Sequence, residues 1–236
     1  INTREECKIY LIEGLPKVLP SFKESLSDVT KGYLQDMGVE VLTDSLVTDI
    51  QNDTVFYKIK NENKRIESKT ILWGAGVKAS AMGKILSEAT GVKLDSVGRV
   101  MVNKDFSITD YENIFVIGDL ARLKDGKDFL PGVATVAMQS GEFVAQLIKN
   151  RTSNAKRYKK EFKYKNKGSL AVIGRNKAVA DLGYFTSKGF IAWILWIFIH
   201  ILYLVGFGSK VSVVTKWALS YFNQDKGNRL IFSNKQ

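Results

Sequence analysis

Two spacings of apolar residues alternate along this chain. Phe22, Leu26, Val29, Tyr33, Leu34 and Met37 recur at helical intervals, and Gly38 follows as a stop signal. Residues 132–149 predict a second helix, with Ala134 and Ala137 keeping its early face small. Elsewhere apolar residues run or alternate as strands do, at 8–12, 39–42, 46–50, 55–59, 66–73, 100–102 and 114–117. The order strand 8–12, helix 22–37, strand 39–42 begins an α/β arrangement. Residues 46–73, broken by Asn and Asp turns, read as a small antiparallel ribbon. Past residue 150 the pattern changes. Residues 169–173 and 178–182 predict a strand pair, and 189–209 is a stretch of 21 residues without a formal charge, long enough to span a bilayer.

Composition narrows the class. The 236 residues carry 35 Lys and Arg against 24 Asp and Glu, a net +11, with 45% apolar residues, which excludes disorder and a disulfide-stapled mini-domain. Residues 151–236 hold 16 basic and 3 acidic side chains, so the excess belongs to the C-terminal third. Cys7 is the single cysteine and His200 the single histidine, which leaves no intrachain disulfide, no dithiol pair and no expected metal site. The charged opening, Arg4-Glu5-Glu6, lacks the apolar core of a signal peptide, and the chain reads as one that starts mid-protein.

Four places can carry chemistry, each with a plainer alternative. Glu13 ends the first strand, where α/β nucleotide domains put the carboxylate that accepts from a ribose diol; it would repel a 2′-phosphate and so favours NADH over NADPH, or it is ordinary surface. Gly74-Ala75-Gly76-Val77-Lys78-Ala79 matches G-x-G-x-x-A, with Asp95 downstream. The span to Asp95, interrupted by Gly91, is too short for a crossover helix and a full second strand, so backbone approach to a ligand is the stronger reading. The run Ile114-Phe115-Val116-Ile117-Gly118-Asp119 reads as a buried strand delivering a glycine and a hydroxyl-accepting carboxylate to its carboxyl end; a plain Gly-Asp turn is the alternative. Residues 131–139 open a helix whose free N–H groups can stabilise an anionic ring system, or whose small residues simply allow close packing.

Taken in order, these runs resemble the type II NADH dehydrogenases, single-subunit, non-pumping NADH:quinone oxidoreductases. The resemblance rests on Ile9-Tyr10-Leu11-Ile12-Glu13, Ile71-Leu72-Trp73-Gly74-Ala75-Gly76-Val77, Gly98-Arg99-Val100, Ile114 through Ala121, Leu130-Pro131-Gly132, Ala137-Met138-Gln139-Ser140-Gly141, Lys167 through Arg175, and Gly189-Phe190-Ile191-Ala192-Trp193 with His200. It implies an α/β flavoprotein of two dinucleotide-binding domains, disulfide-reductase-like, with C-terminal membrane-anchoring helices. Residues 1–75 would then be the later part of the NADH domain, 76–150 the returning segment of the FAD domain, and 151–236 the anchoring and quinone-access region.

The resemblance implies FAD and NADH as cofactors and a membrane quinone as acceptor. By it, Glu13 looks like the ribose acid, Ala75 and Gly76 like lining of the nicotinamide path, and Gly118 and Asp119 like the FAD-binding pair. Met138 and Gln139 look like the catalytic-site helix start beside flavin and quinone, and Lys167 like a lining residue of the quinone tunnel. Two departures bear on the carry-over. Thr135 stands where several members have Gln, and both glycine-rich phosphate loops of the family would precede Ile1, so the chain alone is expected to be inactive.

Trp193, Trp196, His200 and Tyr203 share one helical face, and 210–222 repeats an apolar and polar division. Such helices suit a monotopic helix pair lying in a lipid surface rather than a span, the bilayer being met through 189–222 at the cytoplasmic face of a bacterial inner membrane. A homodimer is compatible with this reading, and nucleic acid is not an expected partner. The rival readings are another quinone-linked flavoprotein reductase, which Cys7 alone supports poorly, and a non-enzymatic basic membrane-binding module, which leaves 114–119 unexplained.

Overall fold

A computed structural model describes residues 7–153, 161–204 and 206–223, with the side chains of 220–223 outside the description. The Arg4-Glu5-Glu6 run, basic residues 156–160 and the apolar side chains of Tyr221 and Phe222 therefore lie outside the described residues. The chain forms two compact units, Ile1–Ile71 with Gly168–Gln236, and Leu72–Lys167.

In the first unit β1 (Ile9–Ile12) pairs in parallel with β2 (Val39–Leu42), Ile9 opposite Val39 and Ile12 opposite Leu42. Parallel neighbours need a crossover, which α1 (Glu24–Asp36) supplies. The chain leaves α1 through Gly38, whose N–H reaches the Gln35 carbonyl at 2.9 Å. β3 (Ser45–Gln51), β4 (Thr54–Ile59) and β5 (Glu62–Glu67) follow as an antiparallel meander. Lys60 and Asn61 both take positive φ, 47° and 70°, between β4 and β5, the twist that a two-residue hairpin loop requires.

The expected strand at 66–73 is corrected here. The ladder closes at Glu67, after which the Ser68 N–H bonds the Asp53 carbonyl at 2.7 Å, and among the described residues no strand pairs with 69–73; Leu72 is 91% exposed and Trp73 63%.

The second unit opens with α2 (Met82–Thr90), which fills the short span after Gly76 and stops at Gly91. Beyond it Leu94 makes only an isolated bridge to Val100. β6 (Val100–Val102) lies parallel to β9 (Ala121–Asp125), which turns back as β10 (Asp128–Phe129). β7 (Ser107–Ile108) pairs with β8 (Tyr111–Phe115). The buried strand expected at 114–117 is thus corrected: β8 ends at Phe115, has β7 as its one strand neighbour among the described residues, and leaves Ile117 40% exposed. α3 (Ala134–Thr152) closes the unit. Phe106, Leu123, Leu130, Val136 and Val144 form one core, and Val92, Val100, Ile108 and Val116 form another.

The chain then returns to the first unit as β11 (Ser169–Gly174), β12 (Lys177–Asp181) and β13 (Thr186–Lys188), an antiparallel sheet. Phe22, just before α1, and Leu26 of α1 pack on Val179 of β12, which joins the two separated stretches of this unit in one core. The ion pairs beside it, Lys23–Asp181 at 3.3 Å and Lys177–Asp36 at 3.2 Å, involve exposed partners and contribute less than about 1 kcal/mol each, so apolar burial dominates.

α4 (Gly189–Tyr203) lies over β12, where Ala178, Ala180 and Ala192 are all completely buried; alanine on both sides lets helix and sheet approach closely. The apolar stretch 189–209 is not one helix. Leu204 turns extended at φ −64° and ψ 134°, and α5 (Phe207–Asn223) starts afresh. Lys210 Nζ donates to the Leu202 carbonyl at 3.1 Å and so satisfies the end of α4. Among the described residues no helix is long and apolar enough to cross a membrane.

Candidate functional site

The Gly118–Asp119 turn and the start of α3 meet in the second unit. Gly118 sits at φ +67°, which glycine adopts freely, and opens a short 3-10 turn, Gly118–Leu120. Its N–H lies 3.4 Å from the Ser140 hydroxyl, which itself donates to the Ala137 carbonyl at 2.8 Å. Ser140 is completely buried, so this hydroxyl is a fixed link between turn and helix. A Cβ added to Gly132 would stand 3.8 Å from Asp119 Oδ1, which brings the Leu130-Pro131-Gly132 approach beside the same carboxylate.

Two features make this corner receptive to a ligand. Asp119 is exposed and, among the described residues, receives no hydrogen bond or ion pair, so its carboxylate can accept hydroxyl donors. α3 begins at Val133 without a side-chain cap, and its first N–H groups therefore have no partner from a capping side chain. An uncapped helix start carries partial positive charge toward whatever lies before it. The donor set thus combines a hydroxyl-accepting carboxylate, a glycine that keeps the surface low, and N–H dipoles suited to electron-rich carbonyls, which fits a flavin nucleotide.

The helix continues this surface unevenly. Met138 is 39% exposed. Gln139 points its amide at a neighbouring segment: Nε2 donates to the Lys165 carbonyl and Oε1 accepts from the Lys165 N–H, both at 3.0 Å. Thr135, one turn earlier, shares a 2.8 Å hydrogen bond with the Tyr164 hydroxyl. Phe143, one turn later, meets Phe162 edge-on with centroids 5.5 Å apart. The sequence reading missed this arrangement, although its signal is present: Phe162 and Tyr164 alternate with Lys163 and Lys165, and Thr135, Gln139 and Phe143 repeat every four residues. Lys167 is exposed at the end of the same segment.

Ala75 and Gly76 are exposed in the segment without secondary structure, and a Cβ on Gly76 would meet nothing within 4 Å. Glu13 belongs to the first unit. There it follows β1, its N–H bonded to the Leu42 carbonyl at 2.8 Å and its carboxylate accepting the Leu15 N–H at 2.9 Å. The Leu15 N–H holds one oxygen of the carboxylate at the carboxyl end of β1 and β2, and among the described residues the second oxygen has no hydrogen bond.

The aromatic face of the C-terminal helices differs from expectation. Trp196 stacks on Trp217 of α5 at 5.6 Å and lies tilted against His200 at 4.1 Å, and Trp193 packs against the alanine cluster of β12, so part of this face is turned inward while His200 and Tyr203 stay exposed. The outward stripe is Ile191, Ile194, Phe198 and Leu202, each between 45% and 65% exposed.

Residues 3–141 match the family described as pyridine nucleotide-disulphide oxidoreductase, and residues 166–224 match the NDH2 C-terminal domain. The chain is 36% identical over 228 residues to a type II NADH:quinone oxidoreductase of Mycobacterium tuberculosis, covering 96% of this chain and 48% of that protein. It is 35% identical over 179 residues to the Staphylococcus aureus type II NADH:quinone oxidoreductase, covering 75% and 42%. NDH2 of Plasmodium falciparum, solved with NADH, superposes with a TM-score of 0.82 at 20% identity, over 95% of this chain and 59% of that one. The chain spans about half the length of the relatives it matches. The α/β FAD/NAD-binding, disulfide-reductase-like fold expected from the sequence is the fold found, and, with type II NADH:quinone oxidoreductases as relatives along nearly its whole length, the chain belongs to the pyridine nucleotide-disulphide oxidoreductase family.

Proposed function

We propose that the protein carrying this chain transfers hydride from NADH to FAD and two electrons onward to a membrane quinone, without pumping protons. The observation that carries this reading is the meeting of Gly118 and Asp119 with the uncapped start of α3, in a chain whose end matches the NDH2 C-terminal domain. When bound, FAD supplies the redox chemistry, and the protein positions and polarises.

In this reading Asp119 accepts from ribityl or ribose hydroxyls, Gly118 keeps the backbone low enough for the ligand, and the first N–H groups of α3 face its carbonyl edge. Glu13 accepts from the NADH ribose diol and repels a 2′-phosphate. Ala75 and Gly76 border the nicotinamide path, Met138 and Gln139 belong to the helix beside the ring, and Lys167 borders the acceptor route. Residues 1–75 complete an NADH-binding domain, 76–150 return to the FAD domain, and 151–236 anchor the protein. The outward stripe Ile191, Ile194, Phe198 and Leu202, with Lys188, Lys210 and Lys216 nearby in sequence, suits a helix pair lying in an anionic lipid surface. Peripheral attachment to the cytoplasmic face of a bacterial inner membrane goes with this reading, and a homodimer is compatible with it.

The test uses the full-length gene product with bound FAD. Quinone-dependent oxidation of NADH, at least about tenfold faster than of NADPH, is the expected result, since a carboxylate facing a 2′-phosphate costs about 1.4 kcal/mol or more. Equal use of both nucleotides would refute the role of Glu13, and absence of quinone-dependent oxidation would refute the reading itself.

A further inference from the structure

Serine is a poor residue for the middle of a buried helix face. Alanine is the better helix former, and a hydroxyl taken out of water costs free energy unless it is bonded. Ser140 nonetheless stands completely buried in α3, on the face that also carries Ala137, Gly141 and Val144. Its hydroxyl proton is committed to the Ala137 carbonyl at 2.8 Å, a local bond common for serine in a helix. The oxygen is left to accept, and the donor it receives is the Gly118 N–H at 3.4 Å, 22 residues earlier in the chain. The buried Ser27 and Ser45 differ, since their hydroxyls bond carbonyls only eight and two residues away.

The neighbouring positions are shaped for the same approach. A Cβ on Gly118 would lie 3.7 Å from Ala137 Cβ, and one on Gly141 would lie 3.9 Å from Ile117 Cδ1, so small residues bring turn and helix into contact. Packing of this kind sets a separation but permits sliding, and the Ser140–Gly118 bond adds a direction. The Gly118 carbonyl is held as well, by the Ala121 N–H. With both backbone groups of Gly118 committed, the next residue, Asp119, has its Cα placed relative to the start of α3.

We propose that Ser140 is a positioning residue for the flavin nucleotide, acting through Gly118 to hold the Asp119 carboxylate in a fixed place relative to the first N–H groups of α3. The inference rests on the proposed function, in which Asp119 and that helix start hold the same ligand. It adds a residue that acts without touching the ligand.

The experiment starts from the full-length FAD-loaded protein and follows flavin fluorescence as FAD dissociates on dilution and is titrated back. Wild type is compared with Ser140→Ala, Asp119→Ala, the double variant and Val144→Ala. Ser140→Ala should raise the FAD dissociation constant about three- to tenfold, the range for one net hydrogen bond. Val144→Ala, which opens a cavity against the same helix without touching the turn, should lower the melting temperature and leave that constant within about twofold of wild type. Because Ser140 acts through the Asp119 turn, its removal should add less than about twofold once Asp119 is alanine. Ser140→Cys keeps the size of the side chain with a weaker acceptor; it should fall between wild type and Ser140→Ala, and it carries the test if the alanine variant does not fold. An unchanged constant in Ser140→Ala and Ser140→Cys, equal rises in Ser140→Ala and Val144→Ala, or fully multiplicative effects of Ser140→Ala and Asp119→Ala would overturn the positioning role while leaving the functional reading in place. A wild-type protein that holds no FAD would overturn both.

Discussion

Gly168 offers a direct test of how tightly β11 is led into the first unit. It adopts φ +90°, and a Cβ added there would collide with the Asp181 carbonyl oxygen and lie 2.7 Å from Leu182 Cα, both backbone atoms that cannot rotate away. Gly183 is the matched control, at φ +84° with nothing within 4 Å of its added Cβ. Gly183→Ala should cost only the conformational strain of an L-residue in this region, about 1–2 kcal/mol. Gly168→Ala adds a forced displacement of packed backbone, about another 1–3 kcal/mol by analogy with overpacking, for a total of about 2–5 kcal/mol. Urea denaturation followed by tryptophan fluorescence would measure it, since three of the four tryptophans, Trp193, Trp196 and Trp217, belong to the same unit and Trp193 packs against Ala178, Ala180 and Ala192. A Gly168→Ala variant within about 0.5 kcal/mol of Gly183→Ala would refute the reasoning, because the close approach would then impose no constraint.

Two further outcomes follow from local chemistry. Burial pushes the Asp95 carboxyl up, but hydrogen bonds from the Arg99 N–H, the Arg99 guanidinium and the Val97 N–H outweigh it and leave the group below its usual range. A depressed carboxylate adds stability above its unfolded value of about 4 and loses it as pH falls through the folded value; Asp95→Asn should therefore cost about 1 kcal/mol at neutral pH and progressively less below about pH 4 in acid titrations of stability. Phe198 is 59% exposed in the outward stripe of α4, and Phe198→Asp should reduce retention on anionic liposomes several-fold with little change in the melting of the protein; unchanged retention would argue against that stripe as the lipid-facing surface.

What could be read in the sequence was whatever depends on local periodicity. α1, α3, the parallel pair β1 and β2, the β3–β4 hairpin and the β11–β12 hairpin follow from spacing and turn residues, within a few residues at their ends. The failures share one cause, namely dependence on partners far away in sequence. Residues 70–73 have strand composition but no neighbour to complete a ladder, so composition misleads there. The uncharged run 189–209 passes a length test for spanning, yet its division at Leu204 reflects α5 folding back so that Trp217 stacks on Trp196. Glu13, Gly118 and Asp119 stand out in the sequence because carboxylates and glycines at strand ends carry a local signature, and their proposed roles rest on that signature and on the local geometry. The Thr135–Tyr164 and Gln139–Lys165 bonds join residues 29 and 26 apart; the alternation at 162–165 and the four-residue spacing of 135, 139 and 143 mark two faces in the sequence, but neither says that the one pairs with the other.

The central claim, electron flow from NADH through flavin to quinone, is tested most directly by an anaerobic two-step titration of the full-length FAD-loaded protein. Addition of NADH should bleach the oxidised flavin absorbance, and subsequent addition of a short-chain quinone should restore it. Flavin that NADH does not bleach, or that stays bleached after quinone is added, would contradict the account.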